Sequence, residues 1–197
     1  MIKFTNLKNK PFNLFKSYYT KAQDAGQLNA DAMCISSINK KNNTPDSRFV
    51  NLKYVKGNEL IFFSNYNSNK AKQFESCSAV TCVFFWPVIN IQIRIQGVIN
   101  KTSPAISDKH FASRSLEKNA LAISSNQSSI ISSFDEVRQK FDNVLNNTNL
   151  SKRPNYWGGY SVKPNYFEFW EAGTNRLNKR ERFVFNLDNW LSSVLEP

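Results

Sequence analysis

Ile91-Gln92-Ile93-Arg94-Ile95-Gln96 alternates apolar and polar residues without a break. That period of two defines a β-strand with one dry face and one strongly polar face. The strand reads from Ile89 to Ile99, and Val80 to Trp86 reads as its neighbour. Working upstream, Gly57-Asn58 marks a tight turn before Leu60 to Phe63, while Ala32 to Ile38 and Arg48 to Val55 are strands separated by the turn-rich Asn42 to Asp46, most simply a hairpin. Downstream, Tyr160 to Val162, Tyr166 to Trp170 and Arg182 to Leu187 read as closing strands. Helices are expected over residues 11 to 25, with Phe12, Phe15, Tyr18, Tyr19 and Ala22 on one face, and after Ser68 through Lys70, Lys72 and Phe74. Two more are expected from Ser103-Pro104 towards Arg114 and from Asp135 to Leu145, joined by a polar run from Ser124 to Ser133. Mostly antiparallel strands interrupted by short helices imply an α+β, mainly β or barrel architecture. With no repeat and no linker, residues 1 to 197 are expected to form a single domain, residues 1 to 10 being a flexible start.

Composition narrows the partners. Of 197 residues, 41% are apolar and 16 are Phe, which suits a packed core and argues against general disorder. The net charge of +11 attracts anions without naming one. Because the basic residues are dispersed and accompany no zinc-finger or recognition-helix pattern, nucleic acid is the weaker partner. Cys34, Cys77 and Cys82 form no closely spaced pair and read as free thiols in a reducing cytoplasm. No apolar run is long enough to span a bilayer, so a soluble cytoplasmic protein with no membrane partner is expected. His110 is the only histidine, which disfavours a histidine-based metal site, and no metal is expected.

The C-terminal segment carries Trp157-Gly158-Gly159, then Phe167-Glu168-Phe169-Trp170, then Asn175-Arg176-Leu177-Asn178-Lys179-Arg180. Two tryptophans, a glycine pair and two spaced arginines suit a flat aromatic ligand that also carries negative charge. Upstream stand Arg48-Phe49-Val50-Asn51-Leu52-Lys53, Phe63-Ser64-Asn65, Asn69-Lys70-Ala71 and Gln127-Ser128-Ser129. In order and spacing, from about residue 11 to the C-terminus, these motifs resemble the pyridoxamine 5'-phosphate oxidase family. The resemblance implies a split β-barrel with flanking helices, a homodimer, and flavin mononucleotide (FMN) bound at the subunit interface.

Carried over residue by residue, the family's phosphate-binding cations match Arg48 and Lys70, the latter beside a helix N-terminus where the dipole also favours an anion. Phe49, Val50, Asn51, Leu52 and Lys53 would run along the flavin ring, with Phe63 and Ser64 nearby. Gln92, Gln127, Ser128, Trp170 and Arg180 complete the flavin set. Asn69 stands where many members have arginine, and Asn51 where an aliphatic residue is usual, which removes one phosphate contact and makes the ring environment more polar.

For the substrate, Lys53 and Arg114 match the residues that grip its phosphate, and Arg176 matches the arginine that lies against its ring. His110 replaces the usual tyrosine, Lys118 falls near the usual serine, and Asn178 replaces a histidine. Each keeps a polar group. The implied reaction is oxidation of pyridoxamine or pyridoxine 5'-phosphate to pyridoxal 5'-phosphate, with O2 as acceptor and H2O2 as product, Arg176 and Asn178 being the catalytic candidates. The altered substrate residues also suit a same-fold oxidase with another substrate, of the phenazine-assembly type. A flavin-binding or basic interaction protein without turnover is the third reading.

Overall fold

A computed structural model describes all 197 residues. Ten strands form one sheet in the order β1-β4-β5-β8-β7-β6-β2-β3, with β9 also on β8 and β10 on β9. The strands are β1 (Lys3–Thr5), β2 (Ala32–Asn39), β3 (Thr44–Asn51), β4 (Tyr54–Lys56), β5 (Glu59–Asn65), β6 (Ala79–Trp86), β7 (Ile91–Lys101), β8 (Trp157–Glu171), β9 (Lys179–Asn186) and β10 (Asn189–Leu195). The helices are α1 (Lys10–Asp24), α2 (Asn69–Ser76), α3 (Pro104–Ala112), α4 (Leu116–Ser124) and α5 (Phe134–Asn147). The alternation of β7 is realised as expected. Ile91, Ile93 and Ile95 are buried, while Gln92, Arg94 and Gln96 line the other face.

The sheet splits at β8. This strand pairs with β7 through Tyr160 to Glu171, with β5 through Trp157 to Val162, and with β9 through Tyr166 to Glu171. Two short closing strands, Tyr160 to Val162 and Tyr166 to Trp170, were expected where the structure has one strand running through Pro164. The proline is tolerated because it faces Gly97 where the β7–β8 register shifts, so the missing N–H falls where the ladder is already irregular. Gly97 is required there, since a Cβ would run into the Lys163 carbonyl.

Helix α1 closes the core with Phe12, Phe15, Tyr19 and Ala22, and its Phe15 packs against Phe84 and Trp86 of β6. The strand expected over Arg48 to Val55 divides at Leu52. There the Leu52 N–H donates to the Asp31 carbonyl and the Lys53 N–H to that of Ile61, which carries the chain from β2 to β5. Residues 1 to 10 are not a loose start throughout, because Lys3–Thr5 pairs in parallel with Tyr54–Lys56 and Phe4 packs on Phe15 and Tyr19. Helix α4 lies between the helix expected towards Arg114 and the polar run that starts at Ser124, in a stretch where no element was expected. Its buried Ala120 and Ala122 face inward, and α5 packs on it through half-buried Val137, Phe141 and Val144. No helix is long and apolar enough to cross a membrane.

Candidate active site

Strands β3, β4 and β5 and the ends of α2, α3 and α4 surround a cavity of about 600 Å³. Eleven of the residues singled out from sequence line it: Phe49, Val50, Asn51, Lys53, Phe63, Ser64, Lys70, His110, Arg114, Lys118 and Gln127. The C-terminal end of β3 and the end of β5 border the cavity, and the turn after α3 brings in Arg114.

One wall is aromatic. The Phe63 and His110 rings stack at 3.7 Å between centroids, Trp157 lies parallel to Phe63 at 5.5 Å, and the Arg114 guanidinium sits 4.3 Å over Trp157. Tyr54 Oη and His110 Nδ1 are 2.9 Å apart. Tyr54 was missed as a site residue, and Trp157, although part of the segment that suits a flat aromatic ligand, was given no place in the flavin or substrate set. Tyr54 carried no local signal in the sequence.

The cations are unevenly partnered. Lys53 is paired with Asp31 at 2.8 Å. Lys70 forms no ion pair, and its Nζ donates only to the Ser64 and Ser68 hydroxyls at 3.3 and 3.5 Å. Burial, and then the nearby Arg48 charge, hold its ammonium below the usual lysine range. Arg114 also forms no ion pair. One terminal nitrogen donates to the Lys118 carbonyl at 2.7 Å, while Nη1 is buried with no partner. Burial with neighbouring Arg114, Lys53 and Lys3 pushes the His110 imidazole down to about 4, so it is neutral at pH 7. An aromatic wall facing unsatisfied cationic donors fits a flat ligand with an anionic arm.

Other expected residues lie elsewhere. Arg48 does not reach the cavity: its guanidinium is engaged by Asp46 at 2.6 Å, Ser37 Oγ at 2.7 Å and Gln73 Oε1 at 2.8 Å, which ties β3 to α2. Leu52 is fully buried in the core, so it offers no side chain to a ring. Asn69 is exposed and borders a separate polar groove with Lys72 and Lys40. Ser128, at φ 74°, belongs to a neighbouring hollow beside α5. The Ser68 hydroxyl donates to the Asn65 carbonyl rather than capping α2.

Gln92, Trp170 and Arg180 form one row across β7, β8 and β9, away from the cavity. Arg176 follows in an exposed turn, at φ 63° directly after Asn175 at φ 56°. Asn178 ties that turn by accepting from the Gly173 N–H at 3.2 Å.

Residues 20–147 match the family model for pyridoxamine 5'-phosphate oxidase, and residues 157–197 match that for the pyridoxine 5'-phosphate oxidase C-terminal dimerisation region. The pyridoxine/pyridoxamine 5'-phosphate oxidase of Leptospira biflexa is 38% identical over 95% of this chain and 89% of its own. The chain belongs to the pyridoxamine 5'-phosphate oxidase family. The enzyme of the same name from Cytophaga hutchinsonii is 36% identical over 90% of this chain and 83% of its own. Among solved structures, PhzG from Burkholderia lata, in complex with tetrahydrophenazine-1-carboxylic acid, superposes with a TM-score of 0.90 at 23% identity over 96% of this chain and 94% of its own. A pyridoxamine 5'-phosphate oxidase-related, FMN binding protein from Nostoc punctiforme superposes at 0.79 with 13% identity, over 96% of this chain and all of its own. Both are likenesses of fold. The split sheet described above is the family's architecture.

Proposed function

We propose that this protein is an FMN-dependent oxidase that converts pyridoxamine 5'-phosphate or pyridoxine 5'-phosphate to pyridoxal 5'-phosphate, with O2 as acceptor and H2O2 as product. The observation that carries the reading is the pair of cations without counter-ions, Lys70 and Arg114, in one aromatic-walled cavity. Two anionic arms are called for, one on the flavin and one on the substrate. Lys70, at the first turn of α2, would hold the flavin phosphate, where the helix dipole adds to its charge. Arg114, Lys118 and Lys53 would hold the substrate phosphate. Flavin, when bound, supplies the hydride acceptor and its own reoxidation by oxygen. The protein's part is orientation: Phe63 and Trp157 limit the tilt of a stacked ring, and neutral His110 offers a hydrogen bond without adding charge.

A homodimer is part of the same proposal. Trp157 lines the cavity, but Trp170 is thirteen residues further along β8, about 40 Å on an extended strand. A chain therefore does not bring its own Gln92, Trp170, Arg180 and Arg176 to its own cavity, whereas a partner related by a two-fold axis brings them to the opposite one. The match of residues 157–197 to a dimerisation region supports this.

A second reading, oxidation of a different substrate, is favoured by His110, whose stack on Phe63 and bond to Tyr54 build a stiffer wall than a lone phenol would. One assay separates the two. Protein and FMN are mixed in air with pyridoxine or pyridoxamine 5'-phosphate, and pyridoxal 5'-phosphate is followed. Turnover is expected; bound flavin without turnover moves the assignment to another substrate or to a flavoprotein without catalysis.

A further inference from the structure

Glu168 is the only charged residue among the buried ones, and it does not belong to the core. It stands on the polar face of β8, between Phe167 and Phe169, which point the other way. Its side chain is 4% exposed. Four donors enclose it. Tyr166 Oη donates to Oε2 at 2.7 Å and Arg94 Nη1 to the same oxygen at 3.1 Å, while Arg180 donates to Oε1 through Nε at 3.0 Å and Nη2 at 2.8 Å. Burial alone would raise its carboxyl pKa, but the hydrogen bonds from Tyr166 and Arg180 and the charges of Arg94 and Arg180 outweigh it and leave the group below the usual carboxylate range. A buried ion cluster is a poor way to gain stability, because apolar residues of similar volume do as well or better. The arrangement calls for another reason.

Arg180 supplies it. Three of its five N–H bonds are engaged, two by Glu168 and one by the Glu196 carbonyl at 2.8 Å. One N–H remains on each terminal nitrogen. Arg180 is also the cross-strand partner of Trp170, which in turn pairs with Gln92.

We propose that Glu168 is a positioning residue for the flavin site: it clamps Arg180 and Arg94 together on the polar face, so that Arg180 meets the negatively charged part of the flavin with its free N–H bonds already aimed. The inference rests on the flavin reading above. Without the carboxylate, two neighbouring guanidinium groups repel each other, and Arg180 has to be ordered at the moment of binding.

The test is a titration of FMN into the full-length protein freed of flavin, read by quenching of flavin fluorescence, together with sedimentation and thermal unfolding. Glu168→Gln keeps the shape and removes the charge. It is expected to raise the FMN Kd by about tenfold or more, the loss of one charge-assisted contact, in a protein that still sediments as the wild type does. Glu168→Asp, which keeps the charge, is expected to recover part of the affinity. In an Arg180→Ala background the Glu168→Gln change is expected to have no further effect on the Kd, because the carboxylate acts through that arginine. Equal Kd for wild type and Glu168→Gln, an undiminished effect in the Arg180→Ala background, or Glu168→Asp binding as weakly as Glu168→Gln would each overturn the role of Glu168. Failure of the wild type itself to bind FMN would overturn the flavin reading, and this inference with it.

Discussion

His110 is held neutral by its setting, and that has a measurable cost in acid. Its imidazole sits down at about 4 against an ordinary 6.5, through burial and the facing charges of Arg114, Lys53 and Lys3, while Tyr54 is its hydrogen-bond partner. Below pH 6.5 the unfolded chain binds a proton that the folded chain refuses, so this residue's contribution to stability falls as pH drops from 6.5 towards 4 and is constant above that window. His110→Phe is therefore expected to flatten the dependence of Tm on pH between 4 and 6.5; an unchanged slope would show the ring to be more accessible than its stack on Phe63 implies. Arg176 belongs to the same scale. Its exposed, left-handed turn contributes little packing, so Arg176→Ala is expected to leave flavin bound and the fold intact while lowering kcat/KM by about 100-fold through lost orientation. Lys70→Ala is expected to weaken flavin retention first, seen as free FMN after gel filtration. Unchanged oxidation by Arg176→Ala would remove it from the catalytic assignment. At this scale the cavity was largely legible, because the cations and ring-wall residues fall in short ordered motifs. Arg48 and Leu52 lie outside the cavity lining, and nothing local announces that an arginine will be engaged by Asp46, Ser37 and Gln73 or that a leucine will turn into the core.

Among the elements, β7 and α1 were readable because each has one dry face and one wet one, and periodicity reports that directly. Strand β8 was not, because it is buried through most of its first half and contains a proline. Only the tertiary pairing with Gly97 explains why Pro164 does not end it. Helix α4 was hidden because it is only nine residues long and is stabilised by α5 packed over it, a contact periodicity does not report. β10 was missed as well; its Leu191 and Val194 are exposed and it pairs only with β9. The bulge gives a direct check: Gly97→Ala drives a methyl into the Lys163 carbonyl and is expected to cost about 1–3 kcal/mol in denaturant unfolding. A neutral result would mean that β8 relaxes by slipping, and the paired row at Trp170 would then shift with it.

At the scale of the whole molecule, the polar face of the sheet carries an exposed Phe85 in the same cross-strand row as Gln92, Trp170 and Arg180. If that row meets the partner's cavity, Phe85→Asp is expected to halve the sedimenting mass to that of one 22.7 kDa chain and to release flavin in the same step. Retention of the dimer would place the contact elsewhere. The reach of β8 also has a genetic reading. On the proposed composite site, a chain impaired in its cavity, such as Lys70→Ala, and one impaired in its turn, such as Arg176→Ala, are each expected to be weakly active alone. Mixed and allowed to exchange subunits, they form heterodimers in which one site inherits both lesions and the other inherits neither. Random pairing then leaves about a quarter of all sites wild type, so two impaired alleles co-expressed in one cell would complement each other.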